Sequence, residues 1–409
     1  MKKKETNKYF TLLSLYLAQS IPMSFFSTVV PVIMRMENYS LESIGYLQLI
    51  KLPWIIKFLW APIVDRTSNN TRQYRKWILA SEIFYALVIF GIGFMDLSVN
   101  FTTIIVLMVI AFIASATQDI GTDAFAILIL KERERSIGNS MQTAGSFIGT
   151  LMGSGVLLII YYYWGWKYLL FALAGFVIIA LIPVSLYPTK RDDKKEKSRQ
   201  KISPLEFIIF FKQKKIGRHL VLLFLFYSGL IGILTMVKPY LVDLGYNVKE
   251  IGFISGIFGT AMGTLMTIPA GILIRKKGFK KSVWFFQSFN LLTACTFLIL
   301  TFTNHPLYFI YIAIAMLWGA YAMSSVFIFT LAMKIVRKGR EGTDFTLQIV
   351  ITHLSSLAIS VASGKLADAI TYRGLFIAEI TMGIIILILL PFIFNNNFYS
   401  SYANSEETN

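Results

Sequence analysis

The sequence predicts an all-α integral membrane protein whose twelve transmembrane helices form two pseudo-symmetric six-helix bundles. The apolar excess, the spacing of the apolar windows and the alternation of basic loops give the membrane class and the twelve helices, and a family resemblance set out below implies the two bundles. Of 409 residues, 56% are hydrophobic and 15% charged, against about a quarter charged in an ordinary soluble domain. With 34 Phe, 20 Tyr and 7 Trp and a mean hydropathy of +0.63, there is more apolar surface than one water-soluble core buries. A cytosolic globular protein and a disordered chain are both excluded. Little chain remains outside the spans for a soluble catalytic domain, so an enzyme is not expected.

Apolar windows of about 20 residues, the length that crosses a hydrocarbon layer of about 30 Å, fall at 10–34, 44–64, 77–95, 101–127, 137–160, 167–188, 218–241, 251–273, 282–302, 306–333, 345–365 and 374–394. The opening MKKKETNKYF before an apolar run resembles a signal peptide. The run continues to Met34 without a small-residue cleavage site, so it is expected to stay as the first span. Of the 39 Lys and Arg residues, 31 lie in the N-terminal tail and in every second loop after it. The opposite loops hold Arg35, Lys167, Lys249 and Arg373. Positive loops stay in the cytoplasm, so both termini are expected there, with the bilayer as partner. The same placement accounts for the net charge of +17 without nucleic acid.

The longest interruption, rich in Lys and Arg, divides the chain into an N-terminal bundle (1–188), a basic cytoplasmic linker (189–217), a C-terminal bundle (218–394) and a cytoplasmic tail (395–409). Within the linker Ser203-Pro204-Leu205-Glu206 reads as a capping box, followed by FIIFF, the start of a short interfacial helix. The single cysteine, Cys295, excludes an internal disulfide, a four-cysteine zinc site and an iron–sulfur cluster. No metal or cofactor is expected. No G-x-x-x-x-G-K-[ST] loop occurs, so energy is expected from an ion gradient rather than ATP.

Charged residues inside a span need a reason. Asp119 and Asp123 are one turn apart on one face of the fourth span, about 18 and 12 Å from its cytoplasmic end. Lys51 and Lys57 of the second span reach similar depths, about 21 and 12 Å above Asp65. The matched depths predict a polar cluster of Lys51, Lys57, Asp119 and Asp123, with Gln118 and Gln19 nearby. Proton coupling or substrate contact is one use of such a cluster; a permanent ion pair locking two helices is the other. Glu82 and Glu379 are expected to snorkel or to bond to a neighbouring helix. His353, beside Gln348 and Thr352, is either a proton carrier or a packing histidine. Tyr227, Trp318 and Tyr321 offer rings for stacking on a substrate or for the core. Gly145, Gly149 and Gly153 at intervals of four allow close helix approach.

Two loops carry related motifs. Gly271-Ile-Leu-Ile-Arg275-Lys276-Lys277-Gly278-Phe-Lys280-Lys281 follows the eighth span, and Ala61-Pro62-Ile-Val-Asp65-Arg66 ends the second. Both resemble the short cytoplasmic motif of the major facilitator superfamily, as does the six-plus-six layout. Arg275 stands where that motif has an acid, and the first loop loses both glycines. Such loops place charges where helix ends meet on closing, so Asp65, Arg66, Gly271 and Gly278 are the expected cytoplasmic gate. Further stretches resemble the AmpG-type permeases and especially the RhtX and FptX siderophore importers: Leu15-Tyr16-Leu17-Ala18-Gln19-Ser20-Ile21-Pro22, Leu52-Pro53-Trp54, Lys57-Phe58-Leu59-Trp60-Ala61-Pro62, Ala116-Thr117-Gln118-Asp119 with Asp123, and Gly138-Asn139 with Gln142. The resemblance covers about residues 12–170. It implies a secondary transporter of the bacterial inner membrane, working as a monomer and importing a polar small molecule with protons. AmpG-type permeases tend to be longer, so twelve spans favour a siderophore. An anhydro-sugar peptide is the alternative, and an intramembrane transferase the alternative of another class.

Overall fold

The computed structural model describes residues 2–36, 52–96, 99–188, 206–213, 215–394 and Tyr399. All regular structure among them is helical. Helix α1 (residues 2–36) runs as Lys2–Ser24, widens into a π turn at Phe25–Val29 and continues through Val30–Met36. Helix α2 (52–66) is broken, with Leu52–Ile56 and Ala61–Arg66 flanking a 3₁₀ turn at Lys57–Leu59. Then come α3 (Thr71–Ile92), α4 (Phe101–Ile129), α5 (135–164), α6 (166–185), the short α7 (Glu206–Phe211), α8 (216–243), α9 (248–277), α10 (279–300), α11 (Leu307–Lys334), α12 (341–369) and α13 (372–393). Helix thus stands at all twelve predicted spans. Residues 44–51 of the second span, most of the linker, its capping residues Ser203 to Leu205, and the tail apart from Tyr399 lie outside the described residues.

Among the described residues seven continuous runs are long and apolar enough to cross a membrane; Glu132–Ser185, Lys249–Leu300 and Glu341–Ile393 each contain two spans. The double runs reverse at Gly165 (φ 76°, ψ −172°), at Gly278 (φ 73°, ψ 172°) and at the two residues Ile370 and Thr371, the latter with φ 65° and ψ 172°. Glycine enters that region freely because it has no Cβ, whereas a β-branched residue is strained there. Thr371→Gly should therefore stabilise the protein by about 1 kcal/mol, the strain relieved less the entropy glycine gains in the unfolded chain. Thermal unfolding in detergent checks this, and an unchanged or lower midpoint would remove strain from the α12–α13 turn.

By its contacts the chain forms two compact units: residues 1–131, 145–207 and 336–346, and residues 132–144, 208–335 and 347–409. Relative to the predicted bundles, two short segments change places. Residues 132–144 and 336–346 lead into α5 and α12, and both are rich in polar groups whose partners lie in the unit they join.

Among its described residues the first unit shows two apolar cores. One collects Phe25, Phe26, Val29, Ile33, Tyr85, Ile89, Met108, Phe112, Leu170 and Val177 from α1, α3, α4 and α6; the other collects Leu15, Val64, Tyr74, Ile78, Ile120, Phe125 and Leu181. Helix α5 meets α1 along the glycine stripe. A Cβ on Gly145, Gly149 or Gly153 would fall on the backbone oxygens of Leu13, Leu17 and Ile21 in turn, so the helices approach as the spacing predicts. Ser14 Oγ donates to Ala180 O at 2.6 Å, tying α1 to α6. In the second unit Leu230, Ile233, Val237, Phe297, Ile314, Leu317 and Phe376 form the core. Exposed Ile83, Leu87, Leu265, Ile179 and Ile388 present the apolar exterior that a bilayer solvates.

Candidate functional site

Pro62 cannot donate to the preceding turn and its ring crowds the carbonyl of Phe58, so α2 opens just before it. The 3₁₀ turn there turns Lys57 inward, where it is 1% exposed. Its ammonium pairs with Asp119 of α4 and lies 4.8 Å from the centre of the Trp54 ring. Gln19 of α1 donates a second bond to Asp119. Tyr16, three residues earlier on the same face of α1, donates to Asp123 Oδ1 at 2.7 Å. Trp60 Nε1 donates to Thr117 Oγ1 at 3.1 Å, a further tie between α2 and α4. Three helices of the first unit thus converge on two aspartates that are almost wholly buried.

Lys57, Asp119 and Asp123 of the expected cluster lie close together, with Lys57 on Asp119 and Tyr16 on Asp123. The break in α2 helps Lys57 reach Asp119, because a 3₁₀ turn rises about 2.0 Å per residue rather than 1.5 Å. Lys51, the other cation of the expected cluster, lies outside the described residues. Gln118 is fully buried, yet neither amide atom has a hydrogen-bond partner among the described residues. Glu82 is a further departure. It sits midway along α3, 0% exposed, and both carboxyl oxygens lack a hydrogen-bond partner among the described residues. Snorkelling is therefore ruled out for it. Glu379 does bond to a neighbouring helix, accepting from Ser363 Oγ of α12 at 3.1 Å.

Asp65, at the end of α2, is fully buried and accepts four bonds. Oδ1 takes Tyr74 Oη at 2.7 Å and Gly342 N at 3.0 Å; Oδ2 takes Thr343 N at 2.7 Å and Thr343 Oγ1 at 2.6 Å. The carboxylate thereby caps the N-terminus of α12, where free N–H groups and the helix dipole favour an anion. A Cβ at Gly342 would meet Asp65 Oδ1 and Ile120 Cγ2 at 2.8 Å, so only glycine permits the approach. Arg66 is exposed and joins none of these bonds.

The residues that continue this latch escaped the sequence reading. Arg337 grips Asp344 with Nε at 2.8 Å and a terminal nitrogen at 2.6 Å, and also bonds Glu206 Oε2 at 3.0 Å. Arg340 reaches Glu206 Oε1 at 3.1 Å. Burial works to raise the Glu206 carboxyl, but the bond and charge of Arg340, then those of Arg337, hold it below its ordinary value. The available signal was the run Arg337-Lys-Gly-Arg340-Glu341-Gly342-Thr343-Asp344, where both charge signs and two glycines precede an apolar span. Read as basic charge alone, it reports orientation and nothing else.

In the second unit Gly271 packs against residues 136–140. Its Cβ would lie on Ser140 Oγ and 2.8 Å from Ser136 O, while Ser140 Oγ donates to Thr267 O at 2.6 Å. Gly278 is the reversal between α9 and α10 and makes no close approach. Tyr227, at the break in α8, donates to Ser325 Oγ at 3.1 Å and lies 5.8 Å from the ring of Tyr321, which is 6.3 Å from Trp318. These three predicted cavity residues therefore gather into one aromatic cluster. His353 lies on an exposed face of α12, a 100° turn away from buried Thr352. Gln348 Oε1 instead accepts from Nε2 of His219, a histidine not singled out from sequence, at 2.6 Å, and His219 Nδ1 lies 3.2 Å from Tyr399 Oη.

Apolar helices in two units, with a charged pair buried inside a span, define a multi-pass membrane transporter. The chain belongs to the Major Facilitator Superfamily, whose sequence pattern matches residues 9–359. It is 24% identical over 385 residues to the anhydromuropeptide permease of Escherichia coli K12, covering 93% of this chain and 78% of that one. With a Rickettsia typhi protein assigned to the AmpG transporters it shares 26% over 387 residues, 90% of this chain and 91% of the other. Among solved structures it is similar in fold to the human organic anion transporter MFSD10 (TM-score 0.73, 13% identity, 94% and 99% covered) and to an outward-facing bacterial homologue of the iron transporter ferroportin (TM-score 0.68, 17% identity, 97% and 99% covered).

Proposed function

We propose that this transporter imports an anhydro-sugar peptide of the muropeptide class across a bacterial inner membrane, with its termini in the cytoplasm, and that a proton taken up at the Lys57–Asp119 pair drives accumulation. The observation that carries the coupling is the pair itself: a lysine and an aspartate buried in spans, each on a different helix, with Gln19 completing the aspartate's bonds. Protonating Asp119 would neutralise one partner and release Lys57, so the pair can report access to either side as a change in helix packing. Substrate class is supported by the curated relatives, which favour a muropeptide over the siderophore that chain length favoured. Length no longer separates the two, since the Rickettsia typhi relative is matched over 91% of itself. Asp65 serves as the gate by holding or releasing the start of α12.

The test is uptake of labelled anhydro-muropeptide beside iron-loaded siderophores, with and without an uncoupler, in cells lacking their own importers. Muropeptide accumulation that collapses with the uncoupler is expected. Asp119→Asn should abolish accumulation while leaving exchange. Siderophore uptake in place of muropeptide would overturn the substrate class, and unchanged accumulation by Asp119→Asn would overturn the coupling role.

A further inference from the structure

A partly open pocket of about 510 Å³ lies in the second unit where the loop between α4 and α5, the ends of α9 and α11, and the α9–α10 reversal meet. Its lining includes Arg133, Arg275, Glu132, Ser136, Phe279 and Thr330. Arg133 and Arg275 are exposed and have no ion-pair partner among the described residues. The pocket's one acid is already neutralised: Glu132 Oε1 takes Lys334 Nζ at 2.6 Å, and that ammonium also lies 5.3 Å from the centre of the Phe279 ring. Among the described residues that line it, the cavity therefore has a surplus of two positive charges. Arg275 is also the residue that replaces the acid expected in this loop, so a position that ordinarily adds negative charge here adds positive.

Two guanidiniums facing one cavity recognise a tetrahedral oxyanion through paired, charge-assisted bonds, which a single carboxylate partner would not exploit as fully. The level of the pocket limits where that anion comes from. It opens where the apolar runs of α9 and α11 end and a basic stretch, Lys276, Lys277, Lys280 and Lys281, begins. In a bilayer the ends of apolar spans lie at the depth of lipid phosphates. Its volume exceeds that of a bare phosphate and leaves room for a glycerol group or several waters, each occupying roughly 30 Å³.

We propose that this pocket binds a phosphate group, that of an anionic phospholipid headgroup or of a free phosphate, held by Arg133 and Arg275. The bound group ties the turn Glu132–Glu134 to α9 and α11, next to the Gly271–Ser140 approach. It thereby stabilises the packing of residues 132–144 within the second unit. This site is independent of the Lys57–Asp119 pair and of the transported substrate.

The full-length protein in nanodiscs of phosphatidylcholine, with and without phosphatidylglycerol, gives the test, with inorganic phosphate against chloride at equal ionic strength as a second arm. Phosphatidylglycerol should raise the thermal unfolding midpoint, and native mass spectrometry should find it retained over phosphatidylcholine. Protection by inorganic phosphate in phosphatidylcholine discs would assign the free ion as sufficient; protection by phosphatidylglycerol alone would assign the headgroup. Arg133→Gln with Arg275→Gln should weaken binding on the order of tenfold or more, the scale of one charge-assisted hydrogen bond, while Arg133→Lys with Arg275→Lys retains most of it. Both positions are exposed, so the Gln variant is expected to fold, and retention by the wild type is measured independently of it. Absence of protection and retention in the wild type, or equal protection in the Gln variant, would overturn the site.

Discussion

Lys57→Met should destabilise the protein by about 3–5 kcal/mol, the cost of leaving one member of a buried pair uncompensated. Asp119 would keep Gln19 as a hydrogen-bond donor but lose its counterion, and the Trp54 ring would lose the ammonium that rests on it. The double change Lys57→Met with Asp119→Asn should recover most of that loss, because two neutral groups of similar size need no pairing in a low-dielectric core. Thermal unfolding of the two variants in one detergent makes the comparison. Transport separates structure from coupling: a pair that only locks α2 to α4 regains function with stability, whereas a coupling pair leaves the double variant stable and unable to accumulate substrate. A Lys57→Met protein as stable as the wild type would show that the pair contributes nothing to the fold.

Asp65→Ala is expected to loosen the start of α12. Four donors converge on this carboxylate, and its removal leaves two backbone N–H groups, a threonine hydroxyl and the Tyr74 phenol without an acceptor in a buried place. Unsatisfied buried donors and a lost helix cap together cost about 3 kcal/mol. Amide hydrogen exchange at residues 341–346 should accelerate on the order of a hundredfold as that cost appears in local opening. The Arg337–Asp344 and Glu206 bonds remain in the variant, so the loss is confined to the Asp65 side. Exchange at Gly342 and Thr343 equal to the wild type would mean that the cap does not hold the segment.

The spans were legible because a bilayer imposes one simple demand, a long apolar helix, and that demand is written along the chain rather than across it. Asp119 and Asp123 stood out for the same reason: few residue types are so costly in a span. The glycine stripe of α5 was legible because a spacing of four reports one helix face, and α1 does lie against it. The partners of these residues were another matter. Depth counting along ideal helices predicted a cluster that includes Lys57, Asp119 and Asp123, and only the structure showed Lys57 on Asp119 and Tyr16 on Asp123. Glu82 read as an end-of-helix residue because α3 begins at Thr71, six residues before its apolar window does. His353, a proton carrier or a packing histidine by sequence, stands on an exposed face, while His219 gained its place only when α8, α12 and Tyr399 came together.

The sequence by itself determined the solvent of this protein, the number of its spans and its superfamily, since those follow from hydropathy, length and local motifs. Tertiary structure alone decided which buried charges meet, that Asp65 caps a helix some 280 positions along the chain, and that two arginines share one unbalanced cavity. The physical reason is range. Hydrophobic burial is read residue by residue, whereas an ion pair or a cap depends on distances of a few ångströms between helices, which small breaks and rotations of the backbone reset.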